Sequence, residues 1–207
     1  MIALLSTLHG PQLSGAEMED AGQPVGLFPE EEALVQKSVP KRQREFALGR
    51  ACARAALERL EHAACAIGRS ASGAPLWPGG IVGSITHTQG YAASLLGPSR
   101  FFSGIGIDAE RIGRVSRDLW PRLFDLSERD GLASLNDADQ AVTATLFFCA
   151  KEACFKAWGG SGPLDFQEIH ITPGAGSFAA VRAGEQLQGR YAVSGDLLLA
   201  AAWLERG

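Results

Sequence analysis

The sequence predicts an α+β fold, and three observations carry that prediction. Segments with helical periodicity alternate with short runs of strand formers. The order runs helix, strands, helix, strands, which divides the chain into two similar halves near residue 103. Clusters of Gly, Pro, Ser and Asp stand at the junctions. With 207 residues the chain can build one substantial core or two small, closely packed halves. No sequence repeat marks the duplication.

The elements follow in order. Residues 10–29 are rich in Gly, Pro, Ser and acids and read as a loop. A helix is expected over 30–38 and a stronger one over 41–60, where Phe46, Ala53, Leu57 and Leu60 recur at helical spacing among six basic residues. The stretch GRSASGAPLWPGG, 68–80, contains turn formers throughout and reads as a loop. Strands are expected at 81–85, 91–96 and 103–110. Helices are expected over 118–134 and 139–158, the second stopped by Gly159-Gly160. Late strands fit near 167–172, 177–182 and 188–204, the last a hairpin turning at Ser194-Gly195-Asp196.

Composition narrows the function classes. The formal net charge is −4, which argues against a general nucleic-acid binder. The four cysteines, Cys52, Cys65, Cys149 and Cys154, form no C-x-x-C pair, so they read as buried free thiols. The first ten residues lack the positive start, long apolar core and cleavage site of a secretory signal. No apolar run reaches the ~18 residues of a membrane span. The expected compartment is the cytoplasm.

Four motifs carry chemistry. In Gly104-Ile-Gly-Ile-Asp108-Ala-Glu110, a strand would set two carboxylates on one face. Like charges so close raise each other's pKa unless a cation sits between them, and Mg²⁺ is a hard cation that takes such oxygens. Two solvated acids at a strand end are the plainer reading of that spacing. In Lys151-Glu152-Ala-Cys-Phe-Lys156, Glu152 and Lys156 share a helix face, backed by Phe147, Cys154, Phe155 and Trp158. An ordinary surface ion pair has the same spacing. In Thr86-His87-Thr88 a histidine closes a strand, where it can contact phosphate, act as acid or base, or simply hydrogen-bond. On the basic helix, Arg42 and Arg50 stand about 80° apart around the axis, with Arg69 in the loop beyond; arginine's planar fork suits phosphate, while a solvated basic face is the commoner occurrence.

Taken in order, these stretches resemble the 4′-phosphopantetheinyl transferases of the surfactin-synthetase type, most closely the enterobactin-synthetase component D-like subgroup. The matching segments are REFALGRACARAAL, GAPLWP, IVGSITH, GIGIDAE and FFCAKEACFKAW. The pairing of G-I-D-x-E with K-E-x-x-x-K, about 40 residues apart, is the specific part. Phe148 stands where the family often has Trp, and Phe is common in the enterobactin-like subgroup.

The resemblance implies a pseudo-dimer of two α+β halves with the active-site cleft between them. Residues 1–103 would form the half carrying the basic helix and loop that bind coenzyme A, and residues 104–207 the half with the metal and catalytic residues. It implies transfer of the 4′-phosphopantetheine arm to a serine of an apo acyl or peptidyl carrier protein, an acidic helical domain. Asp108, Glu110 and Glu152 would bind magnesium, or manganese, which also takes oxygen ligands. Glu152 would also take the serine proton, the serine oxygen would attack the β-phosphate, and 3′,5′-ADP would leave. His87 and Lys156 would contact the diphosphate, with Thr86 and Lys151 nearby. Arg42, Arg50 and Arg69 would contact the 3′-phosphate side, and Pro75 and Trp77 would border the nucleotide. A monomer is expected, with neither nucleic acid nor membrane as partner. Two competing readings are a metal-free acyltransferase with His87 as base and a non-enzymatic module that holds coenzyme A or a carrier protein. A structural metal site of Cys and His fails on ligand spacing.

Overall fold

A computed structural model describes residues 4–8, 10, 12–160 and 165–207. Two antiparallel sheets lie face to face, each covered on its outer side by one long helix. The first sheet has the order β1-β5-β4, from Ser14–Glu19, Tyr91–Pro98 and Ile81–Thr88. Its covering helix is α2, Pro40–Arg59, preceded by the short α1, Pro29–Val35. The second has the order β6-β10-β9-β8-β7, from Phe102–Arg111, Leu197–Glu205, Glu185–Ser194, Ser177–Arg182 and His170–Pro173. Its covering helix is α5, Asp137–Ala157, preceded by α3, Trp120–Leu123, and α4, Leu126–Ala133. A two-residue ladder, β2 (Gly68–Arg69) with β3 (Pro75–Leu76), joins α2 to β4.

The element order repeats. Strand, short helix, long helix, small hairpin and strand pair occur as β1-α1-α2-β2β3-β4β5 and again as β6-α4-α5-β7β8-β9β10. In both, the last strand pairs with the first, as β5 with β1 and β10 with β6. These two last strands are covered on both faces. Ala92 and Leu96 of β5 meet α2, whereas Tyr91, Ala93 and Leu95 meet the other sheet. Leu198, Ala200 and Ala202 of β10 meet α5, whereas Leu197, Leu199 and Ala201 face the first sheet. Burial on both faces is why these strands read as continuous apolar runs.

Most expected elements appear, with corrections. The loop expected over 10–29 contains β1, whose small and acidic residues give no strand signal of their own; its pairing with β5 makes it a strand. The loop over 68–80 holds the short β2–β3 ladder. The single helix expected over 118–134 is broken. Phe124 turns extended and points into the core, and Asp125 starts α4 by accepting from the Glu128 amide at 2.9 Å. The strand expected from 167 begins at His170, after a 3₁₀ turn at Phe166–Glu168. The hairpin turn at Gly195 is present, with positive φ, as is the stop of α5 at Gly159-Gly160. All four cysteines are free; Cys52, Cys149 and Cys154 are buried, but Cys65 is half-exposed, contrary to expectation. Burial pushes the Cys52 thiol up to about 12. Of the ten-residue N-terminal stretch, residues 1–3 and 9 lie outside the described residues.

Candidate active site

The site lies where β4 and β6, the edge strands of the two sheets, pack together beside α5. The two glycines of the G-I-G-I-D run make that packing possible. A Cβ on Gly104 would come within 1.9 Å of the Ala157 carbonyl oxygen, and one on Gly106 within 1.8 Å of that of Ala153. Only bare backbone lets α5 lie this close to β6. Meanwhile Ile105 and Ile107 point the other way, into the core between the sheets.

The close approach brings Glu152 and Lys156 of α5 to Asp108. The Lys156 ammonium donates to Asp108 Oδ1 at 2.7 Å and to the Ile107 carbonyl at 3.0 Å, and lies 4.0 Å from Glu152 Oε2. Burial works against the charge on Lys156, but Asp108 and Glu152 outweigh it and its pKa is raised. The Glu152 carboxyl is pushed up, first by burial; Lys156 opposes the shift and Asp108 adds to it. Asp108 is nearly buried and Glu110 half-buried, two residues apart on one strand.

From β4, Thr86 donates to Asp108 Oδ1 at 3.0 Å and accepts from the Ala109 amide at 3.2 Å. Thr88 donates to Glu110 Oε1. His87, between them, points to α2 instead. Its Nε2 meets the Arg42 guanidinium, and its Nδ1 lies 3.6 Å from Glu45 Oε2. Arginine only donates, so Nε2 is the acceptor and the ring proton sits on Nδ1. Burial, then Arg42, lower the His87 pKa, which agrees with a neutral ring.

Of the other arginines, Arg50 stands midway along α2 and Arg69 in β2. Arg50 is buried, with Nε donating to the Ile67 carbonyl at 2.9 Å and a second nitrogen to that of Gly68 at 3.3 Å. Its guanidinium stacks 4.1 Å over Phe46, and that of Arg69 lies 6.0 Å from the same ring. Burial lowers the Arg50 pKa to about 10, and Arg69, Arg54 and Arg42 add to the shift against the opposing Glu31. Arg54 is paired with the buried Glu31, so the positive charge here rests on Arg50 and Arg69.

A cleft of about 420 Å³ is lined by Pro75, Trp77, Ile85, Glu152, Phe155 and Lys156; Arg42, Arg50 and Arg69 are not among its lining residues. The Trp77 indole donates to the Gly83 carbonyl at 3.0 Å, which ties the loop to β4. The structure thus brings Pro75, Trp77, Glu152 and Lys156 to one cavity, with Asp108 beside Lys156 and Thr86 beside Asp108, while Glu110 is not among the lining residues.

Lys151 goes elsewhere. It is wholly buried on the opposite side of α5 and donates to Glu128 at 2.5 Å, the Phe166 carbonyl at 2.9 Å and the Leu123 carbonyl at 3.0 Å. Its three donors are used. Among the described residues, the trio whose ligand atoms lie within 4.8 Å of one another is Asp125, Glu128 and His170, not Asp108, Glu110 and Glu152. Yet Glu128 already accepts from Lys151 and from the amides of Asp125 and Ile171. Asp125 accepts from the Glu128 amide and the Ser127 hydroxyl and meets His170. That trio caps α4 and ties it to β7.

The sequence reading did not single out Thr88 for the site, nor Glu45 or Glu128. For Thr88 a signal was present: in T-H-T on a strand, both threonines share the face opposite the histidine.

Carboxylates and a lysine beside a cleft, with arginines on the neighbouring helix, suit the class of enzymes that act on a phosphorylated substrate. Comparison with known proteins supplies the family. Residues 30–97 match the 4′-phosphopantetheinyl transferase N-terminal domain, and residues 104–202 the 4′-phosphopantetheinyl transferase superfamily. The chain is 38% identical to 4′-phosphopantetheinyl transferase Npt of Nocardia iowensis over 171 residues, 82% of this chain and 76% of that one. It is 39% identical to 4′-phosphopantetheinyl transferase Svp of Streptomyces mobaraensis over 190 residues, 84% of this chain and 77% of that one. With enterobactin synthase component D of Escherichia coli K12 the identity is 35% over 143 residues, 66% of each chain. The chain belongs to the 4′-phosphopantetheinyl transferase family. It is a transferase that moves phosphopantetheine from coenzyme A to carrier proteins. No helix among the described residues is long and apolar enough to cross a membrane.

Proposed function

We propose that residues 104–207 supply the reacting groups and residues 1–103 the nucleotide-binding surface, with the cleft between β4 and α5 as the active site. The observation that carries this reading is the Lys156 ammonium held by Asp108 and facing Glu152 at the wall of the cleft. A cationic group and carboxylates there suit a diphosphate and its counter-ion.

Asp108, Glu110 and Glu152 offer only oxygens, a donor set that fits a hard divalent cation, magnesium or manganese. When bound, that ion supplies charge neutralisation at the diphosphate. Lys156 donates to the diphosphate, and His87, neutral beside Arg42, holds the end of the basic helix near it. Arg42, Arg50 and Arg69 provide the positive field for the 3′-phosphate, and Pro75 and Trp77 wall the nucleotide. Glu152, whose pKa burial raises, takes the proton from the carrier serine. The serine oxygen bonds to the β-phosphorus as the bond to 3′,5′-ADP breaks. Phosphoryl transfer of this kind depends on positioning and charge stabilisation more than on covalent help. Lys151 has no part in binding coenzyme A, since its donors are spent inside the core.

Phe148 supports placement in the surfactin-synthetase type, near the enterobactin-like subgroup. The carriers are acyl or peptidyl carrier proteins of polyketide, nonribosomal-peptide or siderophore assembly, and the enzyme works as a cytoplasmic monomer.

Intact-mass spectrometry tests the reading. An apo carrier protein is incubated with coenzyme A, magnesium and the enzyme, with EDTA in a parallel reaction. A gain of one phosphopantetheine, lost with EDTA, is the expected result. A gain that persists in EDTA would remove the metal from the reading.

A further inference from the structure

Two hydrogen bonds cross from one sheet to the other at the site, and both end on the carboxylates of β6. Thr86 and Thr88 stand two apart on β4, and Asp108 and Glu110 two apart on β6. Each pair shares one face of its strand, so the bonds run side by side: Thr86 to Asp108 and Thr88 to Glu110. The two strands belong to different sheets, so these side chains, not a backbone ladder, set their register here.

Asp108 Oδ1 takes Thr86 and Lys156, and the buried Cys149 thiol also hydrogen-bonds the Asp108 carboxylate. Glu110 is held through one oxygen, Oε1, which takes Thr88 and the Arg111 amide at 2.7 Å. Both threonines are buried, Thr86 at 3% exposure and Thr88 at 8%, which shields the bonds from competing water. The Thr86 hydroxyl is doubly engaged, since it also accepts from the Ala109 amide. Its rotamer is therefore fixed from both ends.

We infer that Thr88 and Thr86 are positioning residues that orient the Glu110 and Asp108 carboxylates for the divalent cation, so that the first half of the chain sets the ion site of the second. This rests on the proposed metal role of Asp108 and Glu110. At Glu110 a hydroxyl on one oxygen fixes the carboxylate plane and leaves the second oxygen for the ion, and at Asp108 the Thr86 hydroxyl holds the plane. Partners of metal ligands commonly act in this way. Magnesium demands near-ideal octahedral geometry, so loosening a ligand penalises it more than the larger manganese ion.

Thr88→Val removes the hydroxyl at nearly constant shape, and Thr88→Ser keeps it. Manganese binding is titrated by electron paramagnetic resonance with coenzyme A present and no carrier, and the apparent KM for magnesium is measured in carrier modification. For Thr88→Val the expected results are about tenfold weaker manganese binding and a magnesium KM raised by more than that, with kcat at saturating magnesium nearly unchanged. Thr88→Ser should return both to wild-type values. Wild-type metal binding in Thr88→Val, or a serine variant as impaired as the valine one, would overturn the inference. If Thr88→Val does not fold, Thr86→Val and Thr86→Ser make the same comparison at Asp108. An Asp108→Ala control separates the two claims. If it still binds manganese normally, the metal reading itself fails. If it loses binding while Thr88→Val does not, only the positioning role fails.

Discussion

Lys151 donates to Glu128 at 2.5 Å, and neither side chain reaches solvent. The other half of the chain repeats the arrangement. Glu31, also fully buried, accepts from Arg54 at 2.8 Å, again across 23 residues of sequence. Each glutamate is the third residue of its short helix and accepts from its N-cap amide, Phe28 in the first case and Asp125 in the second, where Asp125 returns the bond and closes a capping box. Each also accepts one amide at the start of the following strands, Ile67 in the first case and Ile171 in the second. Short helix, long helix and sheet are thus pinned at one carboxylate in both halves.

Breaking the buried pair from one side leaves a charge without its partner. Lys151→Met is expected to cost about 3–5 kcal/mol, read by urea denaturation. Lys151→Met combined with Glu128→Gln should recover part of that loss. At temperatures where Lys151→Met is folded, its KM for coenzyme A should stay near the wild-type value. A selective rise in that KM would return Lys151 to the ligand.

Gly106 makes a second prediction. A methyl group there meets the Ala153 carbonyl at 1.8 Å, so α5 must move off β6. Gly106→Ala should lose about 1–3 kcal/mol or more by overpacking. Its activity should fall on the order of 10²-fold even where it is folded, because Glu152 and Lys156 shift away from Asp108. Thermal unfolding and single-turnover transfer measure the two effects separately.

The site residues differ in what they should change. Asp108→Ala should abolish transfer with the fold intact, and Glu152→Ala should lower kcat by about 10²–10⁴-fold. Arg50→Ala should raise the KM for coenzyme A. It should also lower stability, because Arg50 holds the Ile67 carbonyl at 2.9 Å inside the protein. Near-normal turnover by Asp108→Ala in magnesium would remove Asp108 from the chemistry.

The pH dependence follows from His87. Burial, then Arg42, lower its folded pKa below the ordinary 6.5. Between the two values the unfolded chain holds a proton that the folded one does not, so stability rises with pH there. The contribution is complete above about pH 6.5 and is lost as pH falls through the folded value. His87→Gln should therefore flatten the melting-temperature profile on the acid side of neutrality. An unchanged profile would show that His87 is not held neutral.

Much of this protein is legible in the order of its residues. The helices α2 and α5 announce themselves by periodicity and by their stops, and the strands around 81–110 by β-branched runs between turns. The carboxylates of G-I-D-x-E and the acid–base pair of K-E-x-x-x-K are also readable there, because a strand repeats every second residue and a helix every third or fourth. These are local properties, set by backbone geometry within one element.

What the tertiary structure alone decided are matters of partnership. Strand β1 exists because β5 offers it a ladder. The helix expected over 118–134 breaks because Phe124 enters the core and Asp125 finds an amide to cap. Lys151 and Glu152 are adjacent letters of one motif with opposite fates. Successive helix residues point about 100° apart, so one side chain enters the core beneath α4 while the next faces β6 and the cleft. Which side of a helix meets which neighbour depends on contacts between residues distant in sequence. The same holds for the threonines of β4, whose partners lie 22 residues away on the edge of another sheet.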